Sequence, residues 1–328
     1  MRAVVYRTYG SPDVLQLEEV AKPTPKDDEV LIHVYAASAN AADWHFLSAE
    51  IFLVRLNAGL LKPKNRILGA DVAGRVETIG RNVTQFQPGD DVFGDLSTSG
   101  RSTFAEYVCA REDAVVVKPA NLTFEEAAAV PLAAVTALQA LRDKGQIQPG
   151  QKVLINGASG GVGTYAVQLA KAFGAEVTAV CSTRNVDLVR SLGADHVIDY
   201  THVDFTTQGQ RYDLILAANG YHPIFDYKRA LTPTGRYVMT GGTMAQFGQA
   251  VLLGPLISMT GRNKMGNMLA RPNHKDLVAV KELLEAGRVK PVIDRRYPLG
   301  EVPEAVRYMG EGHATGKVVI TVEQNHNT

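Results

Sequence analysis

Alternating apolar and polar positions dominate the first third of the chain. Short runs of this kind occupy 3–6, 29–37, 71–79, 91–94, 105–108 and 115–118. Gly10, Pro23, Pro25 and the Pro88-Gly89 pair punctuate them. Period-two alternation bounded by turn residues predicts half-buried strands. The arrangement expected is a small barrel or sandwich rather than a parallel sheet.

The pattern changes near Leu122. Thr123 stands three residues before Glu126, which is the spacing of a capping box, and opens a helix over 124–129. Pro131 interrupts it, and a second helical run, 133–144, stops at Gly145. From Lys152 strand-length and helix-length segments alternate. The strands are expected at 152–155, 176–181, 196–198, 212–218 and 236–240, with helices at 163–173, 185–192 and 224–231. Such alternation predicts βαβ units and a parallel sheet. A helix over 276–286 then leads to strand-like segments at 292–296 and 317–322, which resemble the first third more than the middle. A parallel-sheet domain inserted into a β-rich domain is the organisation this implies. The stretch 244–271 is apolar, rich in Gly and Met, and has no clean period. It admits an edge strand with a covering loop, a subunit contact of a homodimer, or part of a cleft roof.

Bulk properties narrow the class. The chain has 328 residues, which suits two domains. Lys plus Arg and Asp plus Glu number 34 each, so no basic block points to nucleic acid or an anionic surface. No apolar run is long and uninterrupted enough to span a membrane. Cys109 and Cys181 are the only cysteines and form no C-x-x-C pair. Neither a disulfide framework nor a cysteine-rich zinc site is indicated, and a reducing, cytoplasmic setting fits. The N-terminus runs straight into a strand pattern and does not read as a signal peptide.

Chemistry enters with NGASGGVG at 156–163. A strand precedes it and a helix follows it. A helix N-terminus presents unpaired N–H groups and partial positive charge, and glycines let backbone approach a pyrophosphate closely. The strict G-x-G-x-x-G spacing is not met, because Ala158 holds the first glycine place, so a plain tight turn is the competing reading. The next strand ends in Cys181-Ser182-Thr183-Arg184, with no acid where an NAD site places one for the ribose. Two hydroxyls and a guanidinium suit a 2′-phosphate, which favours NADPH. The competing reading is that Ser182 and Thr183 cap the next helix.

These residues, with Asn40 to Asp43, GADVAGRV at 69–76, QPGDDVFG at 87–94, AAVPLAAVTAL at 128–138, LGADHVIDY at 192–200 and GKVV at 316–319, carry a resemblance over essentially the whole chain. The chain resembles the medium-chain dehydrogenase/reductase superfamily, in its zinc-free quinone oxidoreductase and alkenal/enone reductase branch. The resemblance implies a Rossmann doubly wound parallel sheet, 126–272, inserted into a GroES-like β domain made of 1–125 and 273–328, with the active site in the cleft. Zinc alcohol dehydrogenases of the superfamily read G-H-E-x-x-G where this chain reads G-A-D-x-x-G, so Ala70 stands at a ligand place. Ser38-Ala39-Asn40 stand at the first ligand place, and the four-cysteine lobe is absent. No metal is therefore expected.

The same resemblance implies cofactor roles. Thr136 would lie by the nicotinamide, and Gly160, Gly161 and Val162 would carry the pyrophosphate. Ser182, Arg184 and Tyr200 would hold the 2′-phosphate and adenine end. Asn219, Thr240 and Gly241 would line the nicotinamide ribose and carboxamide, and Lys317 would reach the cofactor from the other domain. Related reductases often read N-P-x-D-x-Y-x-R-x-G, where this chain has His45 at the Tyr place and Leu47 at the Arg place. Asn40 and His45 are the catalytic candidates. Asn40 would be a hydrogen-bond partner of a substrate oxygen or of the ribose, with a loop-pinning role as the competing reading. His45 would be a proton donor or a partner of a carbonyl oxygen, with a plain polar cleft residue as the competing reading. Trp44, Phe46, Phe52 and Leu53 suit a small, apolar, electron-poor acceptor. The expected activity is hydride transfer from NADPH to a quinone or to the C=C of an α,β-unsaturated carbonyl. The alternatives are an enoyl-thioester reductase, with Arg55, Lys62, Lys64 and Arg66 at the cleft mouth, and an NADPH-binding protein with a structural role.

Overall fold

The computed structural model describes residues 1–50 and 52–323. In chain order the strands are β1 (Arg2–Val5), β2 (Gln16–Glu19), β3 (Glu29–Ala39), β4 (Asp71–Ile79), β5 (Asp91–Asp95), β6 (Tyr107–Arg111), β7 (Val115–Val117), β8 (Lys152–Asn156), β9 (Glu176–Cys181), β10 (His196–Asp199), β11 (Tyr212–Ala217), β12 (Leu231–Met239), β13 (Lys264–Asn267), β14 (Ile293–Pro298) and β15 (Lys317–Thr321). The helices are α1 (Ala41–Ser48), α2 (Phe52–Ala58), α3 (Phe124–Ala128), α4 (Pro131–Gln139), α5 (Gly161–Ala172), α6 (Val186–Ser191), α7 (Ile224–Arg229), α8 (Met244–Thr260), α9 (His274–Glu285) and α10 (Val302–Gly310). Two compact units result. The first holds Met1–Leu132, Pro272–Glu285 and the chain from Pro291 onward; the second holds Ala133–Arg271 and Ala286–Lys290.

The first unit is built on a seven-stranded sheet of order β14-β15-β3-β4-β5-β7, with β6 paired to β3. All its pairings are antiparallel except β14 with β15. Its alternating apolar positions close on a core that includes Val30, Ile32, Val72, Leu96, Phe104, Val318 and Ile320. Each fully buried side chain of this size stabilises by about 1.5–3 kcal/mol. Register matters for function here. Ser38 faces Asp71 across β3 and β4, and Asp71 faces Asp95 across β4 and β5. Polar side chains from three neighbouring strands thus stand side by side.

The second unit is a six-stranded, wholly parallel sheet of order β10-β9-β8-β11-β12-β13. Its strands are nearly continuous apolar runs because the sheet is buried on both faces. The chain leaves β8 toward β9 and β10 on one side, and β11 to β13 lie on the other. The strand order therefore reverses between β8 and β11, where open α/β sheets bind ligands at their carboxyl ends. The expected capping box is present: Thr123 Oγ1 accepts from Glu126 N, and Thr123 N donates to Glu126 Oε2. Pro131 starts α4 instead of breaking a helix, as its missing N–H allows. The run to Lys144 finishes in a π-helical turn, Ala140–Lys144. Among the described residues no helix is long and apolar enough to cross a membrane.

Candidate active site

In the second unit the glycine-rich turn sits at the reversal of strand order. Gly157 has φ +82°, and a Cβ on it would lie 2.8 Å from Asn219 Cβ. Ala218 N and Asn219 N both donate to Asn156 O, at 2.9 and 3.2 Å, which ties the end of β11 to the end of β8. Gly160 is the N-cap of α5 and leads directly into Gly161 and Val162. A Cβ on Gly160 would meet only Gly157 O, at 3.6 Å, so packing does not require glycine there. Gly163 is the opposite case. A Cβ on it would lie 2.0 Å from Gly157 O, so it must be glycine for the helix to sit against its own entry turn. The sequence reading gave Gly163 no role of its own.

At the end of β9, Ser182 N-caps a short 3-10 turn, Thr183–Asn185. Asn185 Nδ2 bonds Ser159 Oγ at 2.9 Å and Ser182 Oγ at 3.3 Å, joining this strand end to the glycine-rich turn. Arg184 is exposed beside them. Tyr200 N donates to Cys181 O, and the Tyr200 ring, 49% exposed, lies 5.8 Å from that of Tyr221, 41% exposed. One acid joins this cluster that was given no role above, although it lies within LGADHVIDY. Asp199 pairs with Cys181 across β10 and β9. Thr201 N and Oγ1 donate to Asp199 Oδ1 at 2.9 and 2.7 Å, and the hydroxyls of Thr183 and Thr201 lie 3.0 Å apart. Its hydrogen bond from Thr183 is the chief reason that the Asp199 carboxyl is held below its ordinary range. The hydroxyls and guanidinium expected at this strand end are brought together with Tyr200, but a carboxylate stands beside them.

On the other side of the reversal, Thr240 N donates to Ala217 O at 2.9 Å, and Gly220 N donates to Gly241 O at 2.9 Å. Gly241 is forced by packing, because a Cβ would lie 2.4 Å from Ala218 O. The Thr240 hydroxyl is buried and has no hydrogen-bond partner. Asn219 is exposed and Thr136 is buried on α4. The second unit therefore groups Gly160, Gly161 and Val162 with Ser182, Arg184 and Tyr200 on one flank. It places Asn219, Thr240 and Gly241 at the ends of β11 and β12.

The first unit carries the remaining candidates. Asn40 N-caps α1, and its own N–H donates to Asp43 Oδ2 at 2.8 Å. Gly69 N donates to the other oxygen of Asp43 at 3.1 Å. Burial raises the Asp43 pKa, against the attraction of Arg101 and these backbone bonds. The Asn40 amide is committed at both ends. Nδ2 donates to Asp71 Oδ2 at 3.0 Å and to Ser38 O at 3.3 Å, and Oδ1 accepts from Lys317 Nζ at 2.5 Å. Asn40 therefore serves this internal network, and donating to a substrate oxygen would break one of its bonds. Lys317 Nζ also lies 3.1 Å from Asp71 Oδ2, so its ammonium ends on its own unit. His45 is exposed one turn along α1. Trp44 and Phe46 are partly buried against the core, and the Arg101 guanidinium lies 3.9 Å from the Phe46 ring centroid. The side chains of Phe52 and Leu53 lie outside the described ones. Arg55 Nε donates to Ala49 O at 3.1 Å, while Lys62, Lys64 and Arg66 are exposed.

Ala70 is fully buried at the place where zinc-dependent relatives carry histidine. Among the described residues no group of three or more His, Cys, Asp or Glu side chains is arranged to hold a metal ion. Burial pushes the thiols of Cys109 and Cys181 up to about 11, so both stay protonated at neutral pH.

Comparison with known proteins agrees with this architecture. Residues 26–120 match the alcohol dehydrogenase GroES-like domain, and residues 192–320 match the zinc-binding dehydrogenase domain. The chain is 36% identical to the chloroplast envelope quinone oxidoreductase homolog of Arabidopsis thaliana, over 98% of each chain. It is 33% identical to the NADPH-dependent alkenal/one oxidoreductase of the same plant, covering 98% of this chain and 79% of that one. The solved structure of the quinone oxidoreductase from Coxiella burnetii superposes with a TM-score of 0.87 at 30% identity, over 98% of this chain and 99% of that one. A parallel sheet with its glycine turn at the strand-order reversal, set within a GroES-like β unit, defines a medium-chain dehydrogenase/reductase. The chain belongs to that superfamily, in the quinone oxidoreductase and alkenal/enone reductase branch.

Proposed function

We propose that the chain is an NADPH-dependent oxidoreductase that passes hydride, without a metal, to a quinone or to the β-carbon of an α,β-unsaturated carbonyl. The observation that carries this reading is the pairing of an open Gly160 with a buried, unpaired Thr240 hydroxyl. Space in front of a helix N-terminus suits a pyrophosphate. An unpaired buried hydroxyl costs about 1–3 kcal/mol, which a bound ribose or carboxamide would recover. Gly160, Gly161 and Val162 would hold the pyrophosphate. Ser182 and Arg184 would hold the 2′-phosphate, and Tyr200 the adenine. Asn219, Thr240, Gly241 and Thr136 would hold the nicotinamide end. The bound nicotinamide supplies the hydride, and the protein supplies orientation and exclusion of water.

NADPH rather than NADH is supported by Arg184 and the hydroxyls of Ser182 and Thr183. Asp199 is a charged neighbour that its hydrogen bonds from Thr183 and Thr201 keep ionised, so the support rests on the Arg184 guanidinium outweighing it. The absence of a metal from the reaction is supported by Ala70 and by two protonated thiols. The names of the Arabidopsis and Coxiella relatives support the acceptor class. The test is NADPH oxidation against a panel of quinones, enals, enones and enoyl-CoAs. Turnover with quinones or enones is expected. Turnover confined to enoyl-CoAs would transfer the assignment to thioester reduction, and no turnover with any acceptor would remove the enzymatic reading.

A further inference from the structure

A groove of about 460 Å³ opens on the surface of the second unit, lined by Arg211, Phe225, Lys228, Arg229, Leu231 and Asn263 among others. A volume of this order suits a small molecule. Tyr212 and Leu231 pair where β11 and β12 begin, so the groove lies at the amino ends of these strands. The glycine-rich turn and Thr240 stand at the carboxyl ends of the same sheet, a strand length or roughly 25 Å away. None of the groove residues is among those assigned to NADPH.

The charge of the groove calls for a use. Arg229 is paired with Asp226 within α7. Lys228 is half-buried and, among the described residues, has neither an ion pair nor a hydrogen bond. Arg211 Nη1 donates to Leu231 O at 3.1 Å, and among the described residues no carboxylate pairs with that guanidinium. The nearby Asp213 is engaged elsewhere: its carboxylate accepts from Lys152 N at 3.0 Å and from Thr232 Oγ1 at 3.2 Å. Cations in the last turn of a helix offset the partial negative charge of its carbonyl end, which accounts for Lys228 and Arg229. It does not account for Arg211, which joins them from the approach to β11.

One guanidinium satisfies a carboxylate. Cations that converge from two elements suit a phosphate monoester, which carries nearly two charges at neutral pH. The Phe225 ring, 51% exposed in the same groove, offers a flat apolar face. Asn263 Nδ2 donates to Thr232 O at 2.8 Å and to Gly235 O at 3.2 Å, which fixes the opposite wall to β12. We infer that this groove is a second ligand site, which binds a phosphate monoester carried on an aromatic body. Arg211 and Lys228 hold the phosphate, and Phe225 packs against the ring. The site is independent of the reductase reading.

The test titrates the full chain with phenyl phosphate by calorimetry at low salt. Saturable binding is expected. Arg211→Ala with Lys228→Ala should weaken it by roughly tenfold or more, through lost charge-assisted hydrogen bonds. The unfolding midpoint should stay near wild type, because both side chains stand at the surface. Phe225→Ala should weaken phenyl phosphate several-fold and leave inorganic phosphate unchanged. Benzoate, with the same ring and a single charge, should bind roughly tenfold more weakly than phenyl phosphate. Affinity for phenyl phosphate should fall as pH drops below about 6, where the phosphate takes up its second proton. Arg184→Ala removes the guanidinium at the end of β9 and should leave the binding within about twofold. Binding that is lost in Arg184→Ala and kept in the groove double variant would place the phosphate at β9 and overturn the inference. No saturable binding of phenyl phosphate, or equal affinity of wild type and the groove double variant, would overturn it as well.

Discussion

A Cβ on Gly163 would lie 2.0 Å from the carbonyl oxygen of Gly157, whereas one on Gly160 would be 3.6 Å from that same oxygen. One turn thus holds a glycine kept by packing and a glycine that packing does not need. Gly163→Ala is expected to destabilise by roughly 1–3 kcal/mol or more, as overpacking does. Gly160→Val should cost roughly 1 kcal/mol or less at the N-cap yet weaken NADPH binding strongly. Unfolding midpoints and cofactor titration on the two variants separate the effects. Unchanged NADPH affinity in folded Gly160→Val would make the turn purely structural.

The two glycines also mark what the sequence could tell. Strand, turn and helix around 152–172 were legible because a buried parallel strand and an amphipathic helix have distinct patterns. Whether a glycine was there for packing or for a ligand was not, since that depends on where Gly157 O points. α8 was illegible for a different reason. Met244–Thr260 has no charged residue, contains Gly248, Gly254 and Pro255, and leaves Leu252, Leu256 and Met259 exposed. No polar face sets a period. α10 had a signal that went unread, with Val302, Ala305 and Val306 buried at helical spacing behind Pro303. Asp199 was hidden because its neighbour Thr183 is joined to it by sheet register and not by sequence. Asn40 and Lys317 were visible as candidates, but not their bond to each other across 277 positions.

Cofactor choice is expected to depend on the end of β9. Arg184→Ala should raise KM for NADPH and leave NADH nearly unaffected. Loss of one charge-assisted hydrogen bond costs roughly 1.5–3 kcal/mol, or about tenfold to a hundredfold. Added salt should narrow the difference between wild type and variant. Ser182→Asp combined with Arg184→Ala should reverse the preference toward NADH. Steady-state kinetics with both cofactors decide this, and a double variant that still prefers NADPH would show that the 2′-phosphate is read elsewhere.

Asp95 should give the fold a pH signature. Burial, and then the nearby Asp71 carboxylate, push its pKa from 3.8 up to about 6, and its Oδ2 is buried without a partner. A folded-state pKa raised in this way means that the folded protein binds more protons than the unfolded chain between those values. Stability is therefore lost as pH rises through that window and stays lower above it. A shift of this size corresponds to a few kcal/mol at most, on the order of 2–3. Asp95→Asn should raise the unfolding midpoint at pH 8, and the gain should shrink toward pH 4. A gain independent of pH would point to packing instead of charge.

The purified protein should hold no stoichiometric zinc, and chelators should leave its activity unchanged. Ala70 and the protonated thiols of Cys109 and Cys181 motivate this expectation. Elemental analysis beside the activity assay checks it, and one tightly bound zinc per chain required for turnover would contradict it.

The most direct measurement follows the hydride itself. Chelator-treated protein is given NADPH deuterated at the transferring position of C4 and an enone acceptor, and the product is read by NMR. The account predicts a saturated ketone with one deuterium on the former β-carbon. Deuterium on the carbinol carbon of an allylic alcohol would instead identify carbonyl reduction, as an alcohol dehydrogenase performs it, and would contradict the account.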